Sequence, residues 1–470
     1  MNRLRNNIIL VFSISAVLVF ILTYAFMAAA KDNSTFFLKD LEGNRSALKD
    51  ITISGYLEDR YHGRYFEMKN SILNSKFVYY QHQNDIAMLG NLQNLANAIK
   101  HDEFVYTYQY EYEISPGSKT AEYPKENSPI MNSLSIRKSA VFTDSIDIYA
   151  RISKRYVDFS SPHFDTIYFS PGLRYTRSSM EIEFNKDVYG DVSANAEYQK
   201  IHNIIYNLNR ETFPVPLPKM AMTILNNELY FSIVCTKEYS GRNGIYKAVN
   251  FEPWWHDSKY KGTVDTITSF DLDKTNMEVL GLDAVNDNLI LLLFEDNLFK
   301  ARLYNTEGQQ LDELVFTDIL SEKGLPEYQS FINNNCLNIY LKYENENNFT
   351  ENIILSIQVE DENMSLKHKI KKNTSQETYL YNITSKGNML YVIALTKDRD
   401  EIKIYPSEWQ APGHFIICAF KTEKDRTYPV YKGELVTDAA DDYSRNLYNN
   451  DTSFGYNYYD YRQFELVNVR

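Results

Sequence analysis

Cysteine, glycine and histidine are scarce in this chain of 470 residues, and each scarcity closes off a class of protein. Three cysteines, Cys235, Cys336 and Cys418, cannot all pair with one another and show no C-x-x-C spacing. A disulfide-stapled secreted module is excluded, and the three read as buried thiols acting as small hydrophobes. Seventeen glycines are too few for a collagen-like chain. The eight histidines are dispersed, none pairing with another at ligand spacing, so no metal centre and no cofactor is expected from them. Basic residues are also in deficit, 49 against 62 acidic ones, for a formal charge of −13. A nucleic-acid partner is not expected, because it would need a basic face. No H-E-x-x-H, G-x-S-x-G or G-x-x-x-x-G-K-[ST] motif occurs, which leaves zincin, esterase and P-loop chemistry without footing and the chain without a predicted catalytic set.

A long apolar run occurs at the amino end. Residues 8–30 carry no charge, Arg3 and Arg5 precede them, and 23 helical residues reach about 34 Å, enough to cross a hydrocarbon core of about 30 Å. The pattern predicts a single-pass signal anchor over 8–30, with residues 1–7 cytoplasmic and the bulk of the chain outside the cell membrane. Cleavage after Ala30 would release the same chain as a secreted protein. No cysteine follows the run directly, so lipid attachment there is excluded.

Tyrosine dominates the rest of the chain: 38 Tyr and 26 Phe occur in all, largely in a pattern of period two. In residues 104–114, Tyr106, Tyr108, Tyr110 and Tyr112 share one face opposite Thr107, Gln109, Glu111 and Glu113, as in a strand with one wet side. Helical spacing is convincing only over residues 84–100, where Ile86, Leu89, Leu92, Ala96 and Ile99 could share a face. The chain is predicted to be all-β.

Four hairpin-like units recur in the second half, centred on Asn226-Asn227, Asn286-Asp287-Asn288, Asn333-Asn334-Asn335 and Lys386-Gly387-Asn388. Asn and Gly suit such turns because they tolerate positive φ. Taking Leu229, Leu289, Leu337 and Leu390 as equivalents, the spacings are 60, 48 and 53 residues, the size of a four-stranded propeller blade with generous loops. The second unit predicts strands at 279–285, 289–294, 298–304 and 310–316, with Leu289 to Phe294 apolar on both faces. These repeats, between about Pro218 and Asp438, give the chain a superfold-level resemblance to extracytoplasmic β-propellers of unassigned function. The resemblance implies about seven four-stranded blades, with six or eight as alternatives: degenerate ones in an N-terminal β region over 31–217 and clear ones over 218–470. The alternative is an amino-terminal sandwich followed by a smaller β domain, divided near Pro214, Pro216 and Pro218. Residues 462–469 are expected to close the ring against the first blade.

The three tryptophans lie in long loops of the repeat region, Trp254 and Trp255 beside His256 in one and Trp409 in another. Exposed aromatics in loops suit contact with a protein, a peptide or a sugar ring, and these four residues are the candidate binding site. The rival reading tucks each loop's tryptophan under itself as a small satellite core. The sequence Asp271-Leu272-Asp273-Lys274-Thr275-Asn276 begins like a calcium loop but lacks the sixth-position Gly and the closing Glu, and it reads as a turn. Glu360-Asp361-Glu362 reads as a solvated turn. The expected function is a membrane-anchored binding or scaffolding propeller recognising a protein, peptide or glycan. The alternative is a glycan hydrolase or lyase with two carboxylates converging at the propeller channel.

Overall fold

The computed structural model describes residues 12, 14–25, 36–58, 62–79, 98–115, 119–120, 136–156, 165–184, 219–253, 262–321, 324–344, 350–374, 376–398, 414–424, 426–437 and 463–470. Among the described residues nearly all are in strands, arranged in several antiparallel sheets. It divides into two compact units, one of residues 1–91, 326–358 and 365–470, the other of residues 92–325 and 359–364. Among the described residues, no helix is long and apolar enough to cross a membrane; residues 14–25 are helical.

In the second unit, Ala98–His101, Phe104–Ser115, the distal half of Ile136–Tyr156 and Asp165–Phe169 form a meander of four strands, sheet II. Sheet III comes next, with Lys219–Leu225, Glu228–Val234, Tyr239–Asn250 and Thr263–Asp271 in order. The strand Leu173–Phe184 joins the two, pairing with Ile136–Tyr156 over most of its length and with Tyr239–Gly241 at its start. Sheet IV is Met277–Val285, Asn288–Glu295, Leu298–Tyr304 and Gln310–Leu320, again in chain order. Its boundaries lie within a few residues of those read from the sequence.

Alternation decides which surfaces pack. Tyr106 and Tyr108 are buried with Ile152 and Ile167 against Met220, Leu229 and Phe231, so sheet II lies face to face with sheet III. On the predicted strand, Tyr106 and Tyr108 of the aromatic side are buried, as is Val105 on the other side. The other face of sheet III carries Leu225, Tyr230, Ile233 and Ile245 onto Val279, Leu282, Leu289, Leu291 and Leu293 of sheet IV. All six residues from Leu289 to Phe294 are 0–1% exposed, as a strand apolar on both faces requires. The exposed turn Glu360-Asp361-Glu362 belongs with this unit, where the side-chain amides of Asn286 and Asn288 donate to the carbonyls of Val359 and Asp361 at 3.3 Å each.

The first unit contains the ends of the chain. Thr52–Glu58, His62–Lys69 and Ile72–Tyr79 form sheet I, and its fourth strand is Gln463–Val469, which pairs with Thr52–Glu58. A strand stands where the sequence reading expected one over 462–469, and it pairs with Thr52–Glu58. Sheet V is Glu327–Asn333, Cys336–Glu344, Thr350–Glu360 and Asn363–Thr374. Sheet VI is Gln376–Lys386, Met389–Asp398, His414–Glu423 and Arg426–Thr437, extended by a fifth strand from the other end of the chain, Phe36–Gly43. That fifth strand is fastened by Asp40, which accepts from Arg45 at 2.7 Å and from the buried Tyr431 hydroxyl at 2.6 Å. Arg45 and Tyr431 hold the Asp40 carboxyl below its ordinary range. Gly433 lies beneath that tyrosine, and a Cβ there would meet the Tyr431 hydroxyl at 2.2 Å. Sheet VI packs Tyr391, Ile393, Phe415 and Ile417 against Ile53, Leu57, Phe66 and Met68 of sheet I. Its opposite face meets Tyr340 and Ile354 of sheet V through Ile383, Leu390 and Val392.

The Asn- and Gly-rich turns explain the hairpins. Asn226 and Asn227 both have positive φ, 52° and 64°, as the primed two-residue turn demands, and Asn286, Asn334 and Gly387 are positive at the other three units. One expectation fails. The helix read over 84–100 does not reach its end, because Ala98–His101 is a strand turned back at Asp102 (φ 51°) onto Phe104–Ser115. Ile99 packs into the core of sheets II and III, and that pairing outweighs a weak helical spacing. Residues 84–97 lie outside the described residues.

Candidate functional site

Trp254, Trp255, His256 and Trp409 lie outside the described residues; only the chain on either side of them is placed. The first loop joins the third and fourth strands of sheet III, the second joins the second and third strands of sheet VI, so they leave opposite ends of their own sheets. Thr396 and His414 face each other across the base of the second loop, and both border a cavity.

This cavity, about 330 Å³, lies between sheets V and VI. Period-two alternation puts Val392, Ala394 and Thr396, then His414, Ile416 and Cys418, then Lys432 and Glu434 on one face of sheet VI, in register across its strands. A bulge between Asp40 and Glu42 in the fifth strand brings Leu41 into the same lining. Sheet V supplies Asn352, Lys372 and Thr374. The Tyr340 hydroxyl donates to the Asn352 side-chain oxygen at 3.0 Å and fixes that amide.

His414 Nδ1 lies 2.7 Å from Glu434 Oε1, an arrangement in which Nδ1 donates to the carboxylate. Lys372 and Lys432 make no ion pair among the described residues. Burial pushes the Cys418 thiol up to about 11, against the pull of Lys432 and Lys372. The thiol is therefore protonated at neutral pH. His414 and Cys418 share a face, but four residues on one strand separate them by roughly 13 Å, beyond hydrogen-bond reach. The geometry offers charge, hydrogen bonds and an apolar floor, and no activated nucleophile within this pocket.

Two other places bear on the sequence reading. Asp271 is taken up by its own turn: it receives the Asp273 N–H at 3.1 Å and the Lys274 ammonium at 2.8 Å, while Asp273 accepts from the Gly241 N–H. Among the described residues, no group of three or more His, Cys, Asp or Glu side chains could hold a metal ion. Glu295 and Glu313 converge on sheet IV, but Arg302 bridges them at 2.5 Å to each and Lys300 adds a third contact at 2.5 Å to Glu295. Burial works against the Glu295 charge, yet Lys300 and Arg302 outweigh it and keep that carboxyl below its ordinary range, unsuited to act as an acid.

No protein-family model matches the chain, and no curated protein matches it. Among solved structures, it is similar to oligopeptidase B from Trypanosoma brucei, at 8% identity and a TM-score of 0.28, over 85% of this chain and 49% of that one. It is also similar to the Nup133 β-propeller domain from Vanderwaltozyma polyspora, at 10% identity and a TM-score of 0.22, over 73% and 88%. A third is prolyl oligopeptidase B from Galerina marginata, at 9% identity and a TM-score of 0.23, over 76% and 56%. The chain spans about half the length of the oligopeptidase B chain.

The sequence reading did not find the cavity, because its polar groups come from strands far apart in the chain. One signal was present: His414, Ile416 and Cys418 alternate with Phe415, Ile417 and Ala419, while Lys432 and Glu434 alternate with Tyr431, Gly433 and Leu435.

Proposed function

We propose that the chain is a binding or scaffolding module of six four-stranded blades, held outside the cell by the apolar segment 8–30. Six meanders, sheets I to VI, support the blade reading, as does their packing in chain order, II on III on IV and V on VI on I. So does the C-terminal strand paired with Thr52–Glu58, since a propeller ring is commonly closed by joining strands from both ends of the chain. Six is the lower end of the range expected from the repeat spacing.

The observation that carries the binding reading is the cavity on sheet VI, furnished for holding a ligand and lacking a deprotonated nucleophile. Trp254, Trp255, His256 and Trp409 would present the two loops to a protein, peptide or glycan partner. The test is chemical cross-linking of the full-length protein in its own membrane, with the W254A/W255A pair and W409A compared with the unaltered chain. A discrete cross-linked partner that is lost in the tryptophan variants is expected. Unchanged cross-linking in all variants would remove the loops from the reading, and release of reducing ends from cell-surface glycan by the unaltered protein would replace it with the hydrolase alternative.

A further inference from the structure

We propose that the cavity between sheets V and VI binds a small carboxylate with an apolar tail, its head at Lys372 and Lys432. The inference deepens the binding-module reading and rests on it. Some lysines in the described residues are neutralised, Lys247 by Glu228 at 2.7 Å, Lys300 by Glu295 at 2.5 Å and Lys342 by Glu327 at 3.1 Å, and others are not. Lys371, next in the chain to Lys372, is held by Glu351 at 2.7 Å. Among the described residues Lys372 and Lys432 have no such partner, although the chain as a whole carries −13. Two carboxylates stand near them, Glu434, which accepts from His414, and Glu42, opposite Lys432 in the register of the fifth strand; neither forms an ion pair with Lys372 or Lys432 among the described residues. Both lysines line the cavity together with Cys418.

The rest of the lining selects the ligand. Leu41, Val392, Ala394, Ile416 and the protonated Cys418 form an apolar surface, suited to a hydrocarbon chain. Thr374, Thr378, Thr396 and Asn352 supply neutral hydrogen bonds around it. The lining contains no Arg fork to match phosphate oxygens bidentately, and its apolar surface suits a head that carries a hydrocarbon chain. Two lysines above an apolar floor suit one carboxylate head on a short chain.

The probe is hexanoate, titrated calorimetrically into the full chain, with hexanol and inorganic phosphate as comparisons. Hexanoate is expected to bind with Kd on the order of 1 mM, more weakly as salt rises. Lys372→Met with Lys432→Met, which keeps the stems and removes the charges, should weaken it at least about tenfold. Lys371→Met, outside the lining, should leave it unchanged, and unaltered thermal melting of each variant excludes misfolding. No binding of hexanoate, equal binding by the double variant, or hexanol or phosphate as tight as hexanoate would each overturn the proposal. Loss of hexanoate binding with partner cross-linking intact would overturn this inference alone; loss of cross-linking with hexanoate binding intact would overturn only the loop-mediated reading.

Discussion

The two faces of sheet VI are made from the same four strands, one residue out of phase, and they have opposite characters. Toward sheet I, Tyr391, Ile393, Phe415 and Ile417 are 0–2% exposed and form the largest core of the first unit. Toward sheet V, Leu390 is buried at one end, and from Val392 onward the face lines the polar cavity. The backbone hydrogen bonding is common to both faces, so the difference lies in alternation alone. A slip of one residue in the pairing of His414–Glu423 would put His414 and Cys418 into the core and Phe415 into the cavity. The apolar face therefore fixes the register that assembles the polar one.

The comparison can be broken most severely from the core side. Phe415→Ala should destabilise the chain by about 3–5 kcal/mol, because a buried ring is removed between Phe66 and Tyr381 and the space cannot fully collapse. Denaturant unfolding measures this, and a cost near that of an exposed site would show that the two faces do not differ in this way.

A smaller effect sharpens the contrast along the face toward sheet V. At the end away from the cavity, His368 is 2% exposed, its Nδ1 is 2.7 Å from the Thr422 hydroxyl and its Nε2 has no partner. Burial, with help from Lys367, lowers its pKa to about 4. A neutral, buried His whose folded pKa is depressed takes up its proton in the unfolded chain first. Its stability contribution is intact above pH 6.5 and is lost as pH falls from 6.5 to 4, by about 2–3 kcal/mol in all. His368→Gln should flatten that part of the stability profile, and an unchanged slope would remove His368 as its source.

The smallest effect belongs to His414. Its side chain is 40% exposed, and its hydrogen bond to Glu434 is close to solvent, so His414→Gln should change stability by less than about 1 kcal/mol. A cost comparable to Phe415→Ala would mean that the cavity end is structural.

Much of this fold could be read along the chain. The turns at Asn226-Asn227, Asn286, Asn334 and Gly387 depend on local backbone preference, so short-range signals found them. The strand of Tyr106 and Tyr108 was equally legible, because period two is a local property. Contacts between distant segments left no such trace. Phe36–Gly43 pairs with residues nearly four hundred positions later, and nothing in either segment names the other. The candidate site failed to show for the same reason: Asn352, Lys372, His414 and Lys432 become neighbours only when two sheets stack. The tryptophans were conspicuous by type, whereas the lysines were ordinary until the cavity they border could be seen.

The pairing of Gln463–Val469 with Thr52–Glu58 has a consequence for how the protein is made. Sheet I acquires its fourth strand only when residues 463–469 have been synthesised. At about 5–20 residues per second, the edge of Thr52–Glu58 stays open for roughly 20–80 seconds while the intervening four hundred residues emerge. An unpaired strand edge is a template for pairing with other chains. A ribosome that stalls or stops short thus yields a product with an adhesive edge, however well its later sheets have formed.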